Sequence, residues 1–492
     1  MRRRAPSLID VDLAPEQRRV VDHDARRSVL VLGEAGHGKT TVALHRLARL
    51  FAERASDDLR AAVIVPTPGL VRLLQPLVVK LGVDVDVVTF DAWARRQARR
   101  VFRDLPKKES EDATAGVLAL KRDPALRVAL RALAKEAPGL VDDDREKRLV
   151  RTRAHARRGD LQHLFGDRLL LQAVQRASAG LSDYALEETL EHTRVQFSKT
   201  AETEHAHVTD KKRLRAVDGR PMDAGTASGD ARSVDTEDYP VLFELDRLRA
   251  EHLGVPASSP PLFDLLLVDE AQELAPLELA LIGRSLAPDG VLIVAGDAAQ
   301  QIDPSVTFQS WAASVAELGQ DAARMDTFTL EMSHRCPPSV VALARATLGT
   351  EARAVPDPKP PLVEVANDLE VAALTSLVVD PIHEADPKAS VVVLTRSQPR
   401  ARELVAELVA LTPARYVPDG RFFSRGTQVT SIDQVKGLEF DYVIVADASL
   451  ASYPEAAESR RLLYVAMTRA RVGLAFVSPG PPSTIVTTAL AR

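Results

Sequence analysis

The chain has 492 residues, 45% of them apolar and 27% charged, with a net charge of −5. That length leaves room for about three units of ordinary domain size and for a core that needs no disulfide staple. Cys336 is the only cysteine, which excludes thiolate zinc sites and a disulfide framework and leads to the expectation of a reducing, cytoplasmic setting. No apolar run approaches the ~20 residues that cross a bilayer, so no membrane contact is expected. Met1-Arg2-Arg3-Arg4 is basic, but no apolar stretch follows it, and a signal peptide is not expected. Charge is uneven: residues 91–160 carry 19 Lys+Arg against 12 Asp+Glu, a local 19 − 12 = +7 that suits a polyanion although the total is acidic.

In chain order, Ser28-Val29-Leu30-Val31-Leu32 reads as a buried strand, followed by a glycine-rich turn and an amphipathic helix from Thr40 to Phe51. Ala61 to Val65 is a second strand. The alternation that opens Val83 to Phe90 predicts a half-buried one. From Asp91 to Val255 the pattern is mainly helical, for example Ala125 to Leu133. A polar stretch from Lys199 to Asp238 is expected to be a mobile loop. Strand-like runs resume at Asp264 to Asp269 and Val291 to Ala295, then at Val391 to Leu394, Tyr442 to Val445 and Leu474 to Val477. Proline clusters at Pro256 to Pro261 and Pro356 to Pro361 mark joints. Strands alternating with helices predict an α/β fold with parallel sheets.

Between the first strand and its helix lies Gly33-Glu34-Ala35-Gly36-His37-Gly38-Lys39-Thr40, followed by Thr41. This fits the phosphate-binding pattern G-x-x-x-x-G-K-[ST]. Glycines let backbone N–H groups close around phosphates, Lys39 would reach the β- and γ-phosphates, and the Thr40 hydroxyl would ligate Mg2+. ATP and Mg2+ are therefore the expected cofactors. Asp269-Glu270 closes a buried strand, where open α/β sheets place their ligands. Asp269 would hold the metal, and Glu270 would orient or deprotonate the attacking water. Gln300, after the next strand, would sense the γ-phosphate.

The order and spacing of these segments resemble the superfamily 1 helicases of the UvrD/Rep type. Leu13-Ala14-Pro15-Glu16-Gln17 is similar to the family's adenine-reading segment, which implies that Gln17 bonds the base. Leu330 to Arg335 resembles the segment that gives an arginine, here Arg335, to the γ-phosphate. Lys436-Gly437-Leu438-Glu439-Phe440-Asp441 implies that Glu439 contacts the ribose, and Arg461 to Ala470 implies a second arginine, Arg469. Arginine forks stabilise the charge that spreads over a transferring phosphoryl group. The resemblance implies two RecA-like P-loop motor domains with a mainly helical insertion in the first. Residues 1–90 and 258–330 would form the first motor, 91–257 the insertion, and 331–492 the second motor. It further implies an ATP-dependent helicase or translocase, 3′→5′ on single-stranded or partly duplex DNA.

The chain also departs from the family. Gln301-Ile302-Asp303-Pro304 replaces the usual Ser-Ile-Tyr, and Phe308 and Trp311 are better read as core aromatics than as partners for a base. Val65-Pro66-Thr67-Pro68 lacks the usual Thr-Phe-Thr, Thr89-Phe90-Asp91-Ala92-Trp93 matches only partly, and His334 stands in place of an adenine-stacking tyrosine. The spacing from Arg335 to Lys436 leaves no room for an accessory domain, and no fused nuclease is expected after Arg471. Some features also resemble HelD-type proteins. The alternative reading is therefore an ATP-switched remodelling factor that binds a protein partner such as RNA polymerase, with a separate nuclease subunit as a weaker option. Lys147 to Arg158 suits either a nucleic-acid path or a solvated helix face. His205 and His207 lack further metal-ligand partners and read as surface residues, and Cys336 reads as inert.

Overall fold

The computed structural model describes residues 12–54, 58–102, 105–110, 113–135, 158–217, 219–222, 227–321, 325–332, 336–349, 362–364, 371–418, 420–422 and 425–491. Two six-stranded sheets organise them. The first comprises β1 (Ser28–Gly33), β2 (Ala61–Val65), β3 (Asp86–Thr89), β6 (Phe263–Val268), β7 (Leu286–Gly296) and β8 (Met325–Leu330), in the order β3-β2-β6-β7-β1-β8. The second comprises β9 (Leu362–Glu364), β10 (Ser390–Thr395), β11 (Ala414–Tyr416), β12 (Gly426–Ser431), β13 (Phe440–Ala446) and β14 (Ala470–Ser478), in the order β11-β12-β10-β13-β14-β9. Every pairing within both sheets is parallel. The α/β class stands.

Parallel sheets are covered on both faces, so their central strands are apolar without a break. In the first sheet Leu266, Val268, Leu292 and Val294 face a core shared with the helices between β3 and β6. Their chain neighbours Leu265, Leu267, Val291 and Ile293 face the opposite core, with α1 (Pro15–Val21), α2 (Lys39–Glu53) and α3 (Pro68–Lys80). The second sheet divides likewise, with Val392, Leu394, Val443 and Val445 on one face and Val391, Val393 and Ile444 on the other. The first of these two cores also takes in Ala35 and Ile302 from the first region, so apolar packing is continuous between the regions.

Two sequence expectations are corrected. The strand expected over Val83 to Phe90 is only Asp86–Thr89, because Thr89 accepts a hydrogen bond from the Ala92 N–H (3.2 Å) and caps a helix that begins at Phe90. The stretch from Lys199 to Asp238 is not a featureless loop. It holds short helical turns at Ala201–Glu204, Lys211–Leu214 and Ala227–Asp230, then β5 (Ser233–Val234), which pairs with β4 (Lys108–Glu109). Its end is anchored by charge: buried Lys121 donates to Asp238 at 2.6 Å and to Asp235, while His192 lies 3.0 Å from Asp235. Polarity in that sequence marks a buried ionic cluster as well as solvent exposure. Residues 147–157 of the basic segment lie outside the described residues.

Candidate nucleotide site

Three neighbouring strands, β6-β7-β1, end side by side and carry the polar residues of the site. β1 runs into the loop Glu34 to Gly38, β6 into Asp269-Glu270, and β7 into Asp297. Gly38 precedes α2 at φ +82°, a left-handed conformation that costs a side-chain-bearing residue dearly. A Cβ there would also lie 2.6 Å from the Gln17 amide nitrogen. Lys39, 6% exposed, donates Nζ to the loop's own carbonyls, Gly33 O at 2.8 Å and Glu34 O at 3.0 Å, and lies 4.0 Å from Asp297 Oδ2. Thr40 donates its hydroxyl to Asp269 Oδ2 at 2.8 Å, and Thr41 is buried in the first turn of α2.

Asp269 is buried, and burial together with the Glu270 charge pushes its carboxyl up to about 7. Asp269, buried beside Glu270 and holding the Thr40 hydroxyl, offers oxygen donors that fit a divalent cation. Among the described residues, no group of three or more His, Cys, Asp or Glu is arranged to hold a metal, so such an ion would take ligands beyond carboxylates. Glu270, at φ +53°, accepts from the Gln272 amide at 2.6 Å, and the other end of that amide accepts the Asp297 N–H at 3.0 Å. Asp297 in turn accepts from Gln300 Nε2 at 2.8 Å.

The second region completes the arrangement. Arg469 is buried beside the C-terminus of the helix Ala457–Met467. It donates Nε to Val465 O at 3.0 Å and Nη2 to Gln300 Oε1. From the same helix, the Tyr464 hydroxyl accepts the Ala35 N–H of the loop at 3.4 Å and donates to Asp297 Oδ2 at 3.4 Å. Burial and the Asp297 charge hold that phenol protonated by pushing its pKa upward. Three further pairs cross between the regions: Lys436 Nζ to Glu273 (2.6 Å), Arg345 to Glu34 (2.7 Å), and Arg461 to Gln301 (3.1 Å). Sequence alone gives no role to Tyr464, Glu273 or Lys436, although Tyr464 and Lys436 lie in two of the family-like segments.

The remaining expected residues fall as follows. Gln17 is buried with its amide in use at both ends: Oε1 accepts the Ala14 N–H (3.0 Å), and Nε2 donates to His37 O (3.2 Å). The His37 ring bonds Leu330 O through Nδ1 at 2.6 Å, tying the loop to the end of β8; burial lowers its pKa. Glu439 is half-buried and accepts from Arg471 at 3.4 Å. Gly36 turns the loop at φ +82°. Arg335 and His334 lie outside the described residues.

The aromatics are accounted for by packing. Trp93 is 2% exposed, in the first core. The Trp311 ring lies so close over Gly296 that a Cβ there would approach it to 2.1 Å, and Phe308 meets Trp311 edge-on at 5.0 Å. Thr67 caps α3 by accepting the Leu70 N–H. His205 and His207 are exposed, and buried Cys336 donates to Thr468 O. Among the described residues, no helix is long and apolar enough to cross a membrane.

Residues 427–477 match the family model of the UvrD-like helicase C-terminal domain. The stretch runs from β12 to β14 and contains Glu439, Tyr464 and Arg469. A solved structure, the C-terminal domain of a possible DNA helicase from Lactobacillus plantarum WCFS1, aligns over 32% of this chain and 94% of that chain, with 20% identity and a TM-score of 0.28. No curated protein matches the chain. Over residues 427–477, the chain is similar to the C-terminal domain of UvrD-like helicases.

Proposed function

We propose that the protein is an ATP-driven translocase or helicase acting on single-stranded or partly duplex DNA, with 3′→5′ direction. On this reading two RecA-like motors, 1–90 with 258–330 and 331–492, flank one nucleotide, and 91–257 is an insertion in the first. The observation that carries the proposal is the meeting of Lys39, Thr40 and Asp269 on one side with Tyr464 and Arg469 on the other. Backbone N–H groups of the loop and Lys39 would bind the phosphates, while Thr40 and Asp269 would hold Mg2+, which supplies charge neutralisation on the transferring phosphoryl group. Glu270, fixed by Gln272, would orient the attacking water. Gln300 would stand between the γ-phosphate and Arg469, and Arg335 would supply the second guanidinium. Gln17 would exchange its bonds to Ala14 and His37 for the adenine edge, with Glu439 at the ribose. Because both arginines belong to the second region, hydrolysis would need the regions closed, and product release would let them part.

The test is the ATPase rate with and without single-stranded DNA, RNA and duplex, run beside Lys39→Ala. Stimulation by single-stranded DNA is expected, together with a loss of at least ~100-fold in turnover for Lys39→Ala, since the site's phosphate-facing ammonium is gone. Turnover that survives Lys39→Ala would overturn the nucleotide site.

One observation favours a second reading. Trp93 is buried in the core, and Trp311 is partly covered by its packing over Gly296. Base stacking supplies about 1–3 kcal/mol per base, so a strand gains less from these two rings and depends more on phosphate contacts. An ATP-switched remodelling factor working on a protein such as RNA polymerase needs no stacking. Retention of polymerase subunits in a pull-down, with turnover indifferent to DNA, would select that reading. A cytoplasmic location suits both.

A further inference from the structure

The geometry points to Tyr464 as a positioning residue that holds a phosphate-loop N–H in reserve for the nucleotide and ties the Arg469 helix to Asp297. The inference rests on the nucleotide reading above and adds to it how the second region senses the loop.

The loop's backbone N–H groups are the donors that a polyphosphate needs, and a buried N–H left without an acceptor is costly. Ala35 is 5% exposed, and its N–H is accepted by the Tyr464 hydroxyl. Tyr464 is 2% exposed and comes from the other region, delivered by the helix that leads into Arg469. A phenol has one proton and two lone pairs, so it can accept from Ala35 and donate to Asp297 simultaneously. Both bonds are formed, each at 3.4 Å.

These distances are at the long end for hydrogen bonds, which suits a partner that is to be displaced. A phosphate oxygen is charged and accepts more strongly than a neutral phenol. It therefore takes the Ala35 N–H, and the hydroxyl keeps its bond to Asp297. Asp297 also holds Gln300, to which Arg469 donates, so Tyr464 and Arg469 converge on one acid–amide unit. The hydroxyl thus competes with nucleotide at the loop and supports arginine placement at Asp297. Loss of the first role tightens binding, and loss of the second slows turnover. A residue that merely filled space would do neither when its ring is kept.

Tyr464→Phe keeps the ring and removes the oxygen. Titration with a slowly hydrolysed fluorescent ATP analogue and Mg2+ is expected to give roughly two- to tenfold tighter binding, the worth of one competing hydrogen bond. The kcat for ATP is expected to fall roughly tenfold, so KM and kcat drop together. Unchanged or weaker binding, or an unchanged kcat, overturns the assignment. Amide exchange in the unaltered chain tests it without substitution. The Ala35 N–H should exchange slowly both with and without the analogue; fast exchange in the nucleotide-free protein overturns the reserve. If the unaltered chain binds no ATP analogue at all, the nucleotide reading itself fails, a result distinct from either outcome for Tyr464.

Discussion

The two sheets use one scaffold for opposite purposes. Each has six parallel strands with apolar residues on both faces, and each packs a core on either face. Their contributions to the site differ in charge. The first region supplies a loop and a row of buried acids, Asp269, Glu270, Glu273 and Asp297. The second sends donors across to them: Lys436 to Glu273, Arg469 to Gln300, and Tyr464 to Asp297. Arg345 extends the pattern at the rim by pairing with Glu34. Neither half is electrostatically complete by itself. Buried acids favour any arrangement that brings cations to them, so the proposed site depends on contact between the regions and not on either fold alone.

Substitutions on the two sides should therefore fail differently. Lys39→Ala, on the loop side, has the largest expected effect, because binding and turnover are lost together. Arg469→Ala, on the donor side, comes next. It should lower kcat by roughly 10³-fold, the lower end of what a guanidinium contributes to phosphoryl transfer, while nucleotide affinity changes only severalfold. Arg469 is buried and also holds Val465 O, so Arg469→Lys is the companion variant. Lysine keeps the charge without the fork, and its kcat should remain far below that of the unaltered chain. If Arg469→Ala instead abolished nucleotide binding and left kcat for bound nucleotide intact, the division into a binding half and a catalytic half would be wrong.

The parts that were legible in the sequence are those in which neighbouring residues carry the whole signal. Central strands such as Leu265 to Val268 and Val391 to Leu394 read as unbroken apolar runs because both their faces are buried. The loop Gly33 to Thr40 and the pair Asp269-Glu270 are likewise contiguous. Missed strands have mixed composition. β8 is Met-Asp-Thr-Phe-Thr-Leu at a sheet edge, and β12 buries Thr427, Gln428, Thr430 and Ser431, polar side chains that periodicity assigns to loops. The second-region half of the site was legible only in part, for a related reason. Arg469 was found through a motif, but Tyr464 acts on Ala35, 429 positions away, and Lys436 on Glu273, 163 positions away. Pairings between such distant residues leave no local pattern. The same holds for Arg122, which ties the helices between β3 and β6 to Glu278 and Asp303.

The smallest effects should come from the ion pairs between the regions, and their ranking tests whether burial sets their worth. Lys436 is 13% exposed and Glu273 3%, whereas Arg345 and Glu34 are 37% and 40% exposed. Lys436→Met strands a buried carboxylate, which costs about 3–5 kcal/mol when nothing relaxes. Here something can relax: the regions can part and let water reach Glu273. The cost is then capped by the free energy of opening and should appear as a larger radius of gyration in solution scattering, with little loss of melting temperature. Arg345→Ala removes a half-exposed pair that is screened by solvent and worth at most about 1 kcal/mol, so neither measurement should move much. Equal responses from the two variants would mean that the crossing pairs do not hold the regions together according to their burial. The apolar contact of Ala35 and Ile302 with the second core would then be what closes the site.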